Sequence, residues 1–213
     1  MNPQISLKEA ERKAFRTRYN DGLWDIFLGC FFLMFAVAPF LTPALGDFWS
    51  SVVFLPFWGI IILVIYLIRK HLVTPRIGVV SFRPARKSKL MKFTVAMLIV
   101  NFIALILGLI AALYFGRIPG QLITIVFGLI LLVGFSVAAY FLDFNRLYIY
   151  GLLVGLSPLV GEWLWTYGYA SHHGFPVTFG SSAGIMIIVG LVVFFRLLHD
   201  NPVPIEENLS GEV

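Results

Sequence analysis

Charged residues are scarce in this sequence. Only 13% of its 213 residues are Asp, Glu, Lys or Arg, while 59% are hydrophobic. A soluble domain carries about a quarter charged residues, so the composition excludes an ordinary water-soluble domain. The few charges are also bunched, which leaves apolar runs longer than the about 18 residues that indicate a spanning helix. The sequence therefore predicts an all-α integral membrane protein, whose helices satisfy their own backbone hydrogen bonds in lipid.

Residues and motifs typical of catalytic, redox or metal sites are equally few. Cys30 is the single cysteine, which excludes an intrachain disulfide, and there are only four histidines. The sequence contains no HExxH, Walker, nucleophile-elbow or GxGxxG pattern. We therefore expect no cofactor, and the sequence does not indicate an enzyme.

Six apolar stretches predict six transmembrane helices within a domain over residues 21–200. The predicted spans are 23–44, 48–68, 93–115, 122–142, 147–167 and 183–198, the last being short. At about 1.5 Å per residue they match a hydrocarbon layer about 30 Å thick. Only DFNR separates the fourth span from the fifth, so one broken helix is an alternative there. The first apolar stretch follows a charged segment and is too long for a signal peptide, so we expect no cleavable signal.

Basic residues set the predicted orientation. All of the 16 Lys and Arg residues except Arg117 fall in segments that six spans place on one side. Basic loops stay cytoplasmic, so both termini, the loop 69–92 and the tail 201–213 are predicted to be cytoplasmic at the cell membrane. This asymmetry accounts for the basic excess, and we expect no nucleic-acid binding. The residues on the basic side are Lys8, Arg12, Lys13, Arg16, Arg18, Arg69, Lys70, Arg76, Arg83, Arg86, Lys87, Lys89, Lys92, Arg146 and Arg196.

Two cytoplasmic segments have predicted structure of their own. In residues 1–20, Ser6 and Glu9 stand at capping-box spacing. This segment predicts a basic, weakly amphipathic helix suited to an anionic inner leaflet, with a solvated lead-in helix as the alternative. The β-branched and aromatic run 77–82 predicts a short strand. One strand alone is not stable, so it must pack on the inner ends of the helices, pair within the chain or with another copy, or wait for a partner. Basic residues near this run are predicted to contact lipid head groups: Arg83, Arg86, Lys87 and Lys89.

Three segments resemble a family of small prokaryotic multi-spanning membrane proteins of uncharacterised activity. They are RYNDGLWDIFLG at the first span, PRIGVVSFRPARK after the second and FNRLYIYG entering the fifth. The resemblance covers about the first half of the chain and the fifth helix. It implies a multi-span topology and no particular chemistry.

Glu162 interrupts the fifth apolar stretch. On an ideal helix it shares one narrow stripe with Gly151, Gly155 and Pro158. Small residues at four-residue spacing let a neighbouring helix approach closely, so we expect Glu162 to face the bundle. An ionisable group within a span indicates a functional site; the alternative is a structural ion pair or snorkelling to the interface. Its expected partner is Arg117, the one basic residue on that side.

Other polar residues have plainer interpretations. Asp25, at the start of the first span, compensates a helix dipole and is predicted to pair with Arg196 or with Arg146. Asn101 lies near the middle of the third span, where a hydrogen bond to another helix accounts for it.

Adjacent histidines in the outer loop suggest a weak candidate metal site. With Glu162 and Asp47, His172 and His173 supply the nitrogen and oxygen ligands that zinc accepts. Adjacent loop histidines are usually only exposed, however, so we expect no bound metal.

Three classes of function remain open. The leading one is a non-enzymatic accessory, scaffold or regulatory component that binds a cytoplasmic or membrane protein partner at its cytoplasmic face. Its basic segments would also contact anionic inner-leaflet lipid, and a homo-oligomer is compatible with it. The alternative is a small transporter or channel in which Glu162 lines an outer-leaflet cavity. The third is a membrane-embedded enzyme that acts on lipid.

Overall fold

The computed structural model describes Tyr19 and residues 21–77, 84–114 and 116–202, without the side chains of residues 47, 51, 77 and 84–87. The predicted amphipathic helix over residues 1–20, apart from Tyr19, lies outside the described residues. So does most of the predicted strand, and so does Arg83. Ile77, the first residue of that predicted strand, ends a short helix instead.

Helices dominate the described chain, and no strand occurs in that part of it. They are α1 Leu23–Val52, α2 Phe54–Ile68, α3 Thr74–Ile77, α4 Pro84–Leu113, α5 Gly120–Leu142, α6 Arg146–Thr166 and α7 Phe175–Asp200. A π-helical turn, Arg69–Val73, joins α2 to α3, and a 3-10 turn, His172–Gly174, precedes α7.

Six helical segments are long and apolar enough to cross a membrane, which confirms the predicted multi-pass membrane protein. They are Leu23–Gly46, Phe48–Arg76, Ser88–Leu113, Gly120–Leu142, Arg146–Thr166 and His172–Asp200. The first span ends within α1 at Gly46, whose φ of 77° is not helical. The fourth and fifth spans are two separate helices, because Asp143 ends α5 in a left-handed conformation.

The last helix begins about two turns before its predicted start at residue 183. Thr178, Ser181 and Ser182 lower the hydropathy of these first turns. Thr178 and Ser182 are nevertheless buried against the bundle, where hydrogen bonds satisfy their hydroxyls. The apolar pattern therefore begins too late, because hydropathy cannot distinguish a polar face turned to protein from one turned to lipid.

Glycine contacts hold two helix pairs together. In the α1–α7 pair, a Cβ added to Gly190 would lie 2.8 Å from the carbonyl oxygen of Gly22. In the α5–α6 pair, a Cβ added to Gly155 would lie 3.0 Å from the carbonyl oxygen of Gly128. Only glycine allows backbones to approach this closely. The contact of α6 with α7 joins the two pairs into a bundle.

Two helices lie at the periphery of this bundle. In the most apolar window of α4 no residue is buried, and in that of α2 only 6% are, against 44% for α6. The chief neighbours of these helices are α5 for α4 and α1 for α2. Most of the surface of both helices is therefore free to face lipid or another chain.

The centre of the bundle is apolar and closed. Val154 from α6 and Phe179, Ala183 and Met186 from α7 have no exposed surface. Phe32 from α1 stacks on Phe179 with ring centroids 6.0 Å apart. These side chains separate two polar regions. We name them the basic end, where α1 and α6 begin, and the opposite end, where α6 ends and α7 begins.

Candidate functional site

At the basic end, α1 and α6 are joined by an ion pair. The guanidinium of Arg146 donates to Asp25 Oδ2 at 2.8 Å and to the carbonyl oxygen of Tyr19 at 3.4 Å. It also lies 4.9 Å from the centre of the Phe144 ring. Asp25 is fully buried, whereas a quarter of the Arg146 side chain is exposed. One of the two predicted pairings is therefore confirmed, and it connects helices 121 residues apart in the chain.

The other predicted pairing, of Asp25 with Arg196, is wrong. Arg196 pairs with Asp200 one turn along α7 at 3.5 Å, and 82% of its side chain is exposed. Both residues lie near the basic end. Arg196, however, lies on the outer face of α7, away from the core of the bundle, so depth in the membrane alone did not identify the partner.

Tyr150 completes this cluster one turn along α6 from Arg146. Its hydroxyl lies near enough to Asp25 to interact with the carboxylate. The geometry falls short of a regular hydrogen bond, since Tyr150 Oη and Asp25 Oδ1 are buried atoms without a hydrogen-bond partner among the described residues.

Asp21 forms a second ion pair at the basic end. Its Oδ1 accepts from the backbone N–H of Leu23 at 3.0 Å, which caps the start of α1, and its Oδ2 accepts from Arg69. Burial raises the pKa of the Asp21 carboxyl, and the charge of Arg69 opposes that rise. Sequence reasoning missed this pair. The signal was available, because α2 returns to the end where α1 begins.

Lys89 belongs to a third ion pair rather than to the surface alone. Its Nζ lies 3.2 Å from Asp143 Oδ2 and 5.6 Å from the centre of the Tyr140 ring. This pair joins α4 to the end of α5. The predicted contact of Lys89 with lipid head groups therefore competes with a protein partner. For Arg86 and Lys87, the structure describes the helical backbone but not the side chains.

At the opposite end, Glu162 faces the bundle and is buried, as predicted. Its Oε2 lies 2.9 Å from Nδ1 of His173. Its Oε1 lies against the first residue of α5, since a Cβ added to Gly120 would come within 3.3 Å of it. A helix N-terminus favours negative charge, so the carboxylate sits between an imidazole and a favourable helix dipole.

The predicted pairing of Glu162 with Arg117 is wrong. Arg117 is exposed in the connection between α4 and α5, and within the described part of the chain it makes no ion pair with Glu162. The turn before α7 folds back onto α6 instead, because Gly161 and Gly174 lie in contact: a Cβ on Gly161 would lie 2.6 Å from the carbonyl oxygen of His173. That contact places the His173 imidazole beside the carboxylate.

The two adjacent histidines diverge. His173 lies on Trp165, with ring centroids 4.2 Å apart, while His172 contacts Phe40 of α1 at 5.5 Å. Where side chains are described, no three His, Cys, Asp or Glu residues come together as a metal would need. Asp47, the fourth candidate ligand, has no described side chain.

Between Glu162 and the apolar centre, α6 and α7 share buried hydroxyls. Ser157 and Ser182 lie 3.0 Å apart across the two helices, and Ser157 also donates to the carbonyl oxygen of Leu153 at 2.8 Å. Such interhelical bonds contribute about 0.6 to 2 kcal/mol each within a membrane. They extend the polar region of the opposite end inward, as far as the closed core.

Asn101 does not make the predicted hydrogen bond to another helix. Its Nδ2 donates to the carbonyl oxygen of Met97 in α4 itself, at 2.8 Å. Asn101 is exposed and borders a cleft of about 370 Å³ between α1, α4 and α5. The predicted bond does not form within the chain, because α4 has few neighbours and no other helix of the same chain reaches this side chain.

No protein-family model, curated protein or solved structure matches the chain. The family resemblance inferred from the sequence stays a prediction, and function is argued from geometry alone. The pairs at the basic end can hold helices together and present charge. The Glu162–His173 pair brings a carboxylate and an imidazole within hydrogen-bond distance, at 2.9 Å, a geometry in which a proton can be shared between them.

Proposed function

We propose that this protein is a non-enzymatic accessory, scaffold or regulatory component of the cell membrane that binds an acidic protein partner at its basic end. In this proposal the basic end and both termini are cytoplasmic, since basic loops stay on that side. The observation that carries it is a contrast: the centre of the bundle is closed, while Lys70 and Lys92 at one end are exposed and make no ion pair with any described residue.

The closed centre argues against a permanent pore. Val154, Phe179, Ala183 and Met186 have no exposed surface, and they lie between the charged clusters of the two ends. A pathway for polar solutes needs polar groups or water along its length. In this conformation the middle of the bundle, at the residues that the structure describes, is filled by these apolar side chains.

The exposed cations argue for a surface that binds. Arg69, Arg146 and Lys89 are used internally, by Asp21, Asp25 and Asp143. Lys70 and Lys92 are exposed at the same end, and neither has an ion-pair partner within the described ranges. Exposed charges of one sign steer an oppositely charged partner and make its binding depend on salt.

A photo-crosslinking amino acid at position 92, in native membranes, tests the proposal. We expect one protein adduct of defined mass, and none from the same probe at Trp163, which is exposed at the opposite end. The adduct partner, once purified, should bind at least about tenfold more weakly to the Lys70→Glu/Lys92→Glu variant. Arg117→Glu is the matched control and should bind normally. Lipid adducts alone from position 92 would contradict the proposal.

A second candidate function, a proton- or cation-coupled transporter, is favoured by one specific observation. Glu162 is buried beside His173 rather than beside an arginine, and half of the His173 side chain is exposed. An imidazole can both donate and accept a proton, whereas an arginine guanidinium can only donate hydrogen bonds and keeps its charge. This transporter would need a conformation in which the closed centre opens.

Flux into proteoliposomes separates the two candidates. A transporter should move protons or Na⁺ down an imposed gradient, and Glu162→Gln should abolish that movement. Arg117→Gln, a charge change at the same end without the buried contact, should leave it intact. Under the leading proposal, wild-type protein produces no flux above empty liposomes, and Glu162→Gln only lowers stability.

A lipid-acting enzyme is the least supported proposal. The hydroxyls near Glu162 and His173 are engaged with main-chain carbonyls: Thr166 donates to Glu162 O at 2.8 Å, and Thr178 donates to Gly174 O at 3.1 Å. A hydroxyl nucleophile needs a base within hydrogen-bond reach. Neither of these hydroxyls is bonded to the imidazole or to the carboxylate.

A further inference from the structure

Asn101 is a polar group without sufficient partners in the middle of a span. It lies near the centre of the segment Ser88–Leu113, where the surroundings are hydrocarbon. An amide side chain has two N–H donors and an oxygen that accepts. One N–H donates to Met97, while the other and Oδ1 have no partner among the described residues. In lipid such groups find partners on neighbouring helices.

The face of α4 that carries Asn101 is suited to close helix packing. Thr94, Asn101 and Gly108 follow one another at seven-residue spacing and are all exposed. At about 100° per residue, seven residues return to nearly the same face. A Cβ added to Gly108 would meet nothing within 4 Å. Small residues and an amide in a heptad stripe are the features of a left-handed helix pair in membranes.

A second copy of the chain satisfies the hydrogen-bonding requirement of Asn101. Two copies inserted in the same direction are related by a two-fold axis along the membrane normal, so each residue on that axis faces its own equivalent. The free N–H of one Asn101 can then donate to Oδ1 of the other, and the reverse bond forms as well. The amide is complementary to itself in this arrangement, whereas an acyl chain offers it no donor.

We propose that the protein forms a parallel homodimer through α4, with Asn101 of both copies hydrogen-bonded at the centre of the interface. The stripe of Thr94, Asn101 and Gly108 packs against the same stripe of the second copy. The cleft of about 370 Å³ that Asn101 borders then receives side chains of the partner helix. This inference does not depend on the proposed function, because the interface lies within the membrane and not at the basic end.

Disulfide crosslinking in native membranes tests the geometry. Cys30→Ala removes the single cysteine, and Thr94→Cys then places a thiol on the stripe. We expect a covalent product at twice the 24.0 kDa of the chain, because bridged residues need Cα atoms within about 7 Å. Ile99→Cys, equally exposed but on the other face of α4, should crosslink far less. Equal crosslinking from both positions, or a product of another mass, would overturn the proposal.

Energy transfer between labelled copies in liposomes tests the role of the amide. Asn101→Leu should lower the dimerisation constant about three- to thirtyfold, the range for one to two interhelical hydrogen bonds in membranes. Ile99→Ala is the matched control and should have little effect. Because α4 is peripheral, both variants should keep the thermal stability of the monomer in detergent. A dimerisation constant unchanged by Asn101→Leu would refute the interface.

Discussion

The ion pair between Asp25 and Arg146 gives the sharpest test of how the bundle is held. Three variants are needed: Arg146→Gln, Asp25→Asn and the double variant. The two single variants remove the same pair but leave different groups behind. Asp25 has no exposed surface, while a quarter of the Arg146 side chain is exposed. The structure therefore predicts that the two losses are unequal.

The expected losses in the free energy of unfolding follow from the groups that each variant leaves unpaired. Arg146→Gln leaves a fully buried carboxylate with only Tyr150 beside it, so we expect the full loss for a broken buried pair, about 3–5 kcal/mol. Asp25→Asn leaves a guanidinium that keeps Tyr19 and Phe144 and can extend its head toward water. Its loss should be about 1–3 kcal/mol. In the double variant two neutral amides can hydrogen-bond, so its loss should be smaller than that of Arg146→Gln alone.

Unfolding by SDS in mixed micelles, followed by tryptophan fluorescence, measures these free energies. Arg196→Gln is the matched control, since that side chain is 82% exposed and pairs only along its own helix. Its effect should stay within about 0.5 kcal/mol. The reasoning fails if Asp25→Asn costs as much as Arg146→Gln, or if the losses of the single variants simply add in the double variant.

Two further predictions use simpler changes. A reporter fused after Ser88 should be cytoplasmic and one inserted beside His172 external, because nearly all basic residues fall on one side; the same location for both would break the six-span topology. Gly22→Ala should destabilise the fold by more than Gly46→Ala, measured in the same SDS titration. Both glycines have φ of 77°, but a Cβ at position 22 meets the backbone of α7, whereas one at position 46 meets nothing within 4 Å. Equal losses would show that only backbone strain, about 1–2 kcal/mol, separates glycine from alanine.

Hydropathy and charge predicted the spans because both are properties of long segments. A run of about 20 apolar residues has few alternatives to a spanning helix. The orientation of Glu162 was also accessible, since Gly151, Gly155 and Pro158 mark the same face at helical spacing. All four are buried. A local sequence pattern was therefore sufficient for features that depend on a single helix, such as its length and its buried face.

The ion-pair partners of these residues could not be predicted in the same way, because they depend on which helices are neighbours. Arg146 and Arg196 both lie near the basic end, yet only Arg146 faces α1. Glu162 was assigned to Arg117 by charge, while the contact between Gly161 and Gly174 brings a different residue to it. Those two glycines were present in the sequence, but nothing local indicates that they touch.

Glycine contacts and polar contacts are distributed unevenly over the interfaces of the bundle. Glycines hold α1 against α7 and α5 against α6, within the two pairs. Between α6 and the α1–α7 pair the contacts are mainly polar: Asp25 with Arg146 at the basic end, and Ser157 with Ser182 nearer the opposite end. The contact of Gly161 with Gly174 joins them at the opposite end. A glycine contact cannot slide without a steric clash, whereas hydrogen bonds and ion pairs can exchange partners. We therefore expect a conformation that opens the closed centre, as a transporter requires, to separate the bundle along this mainly polar interface rather than within either helix pair. A disulfide across that interface would block a transporter but leave a scaffold active, so the interface itself discriminates between the two proposed functions.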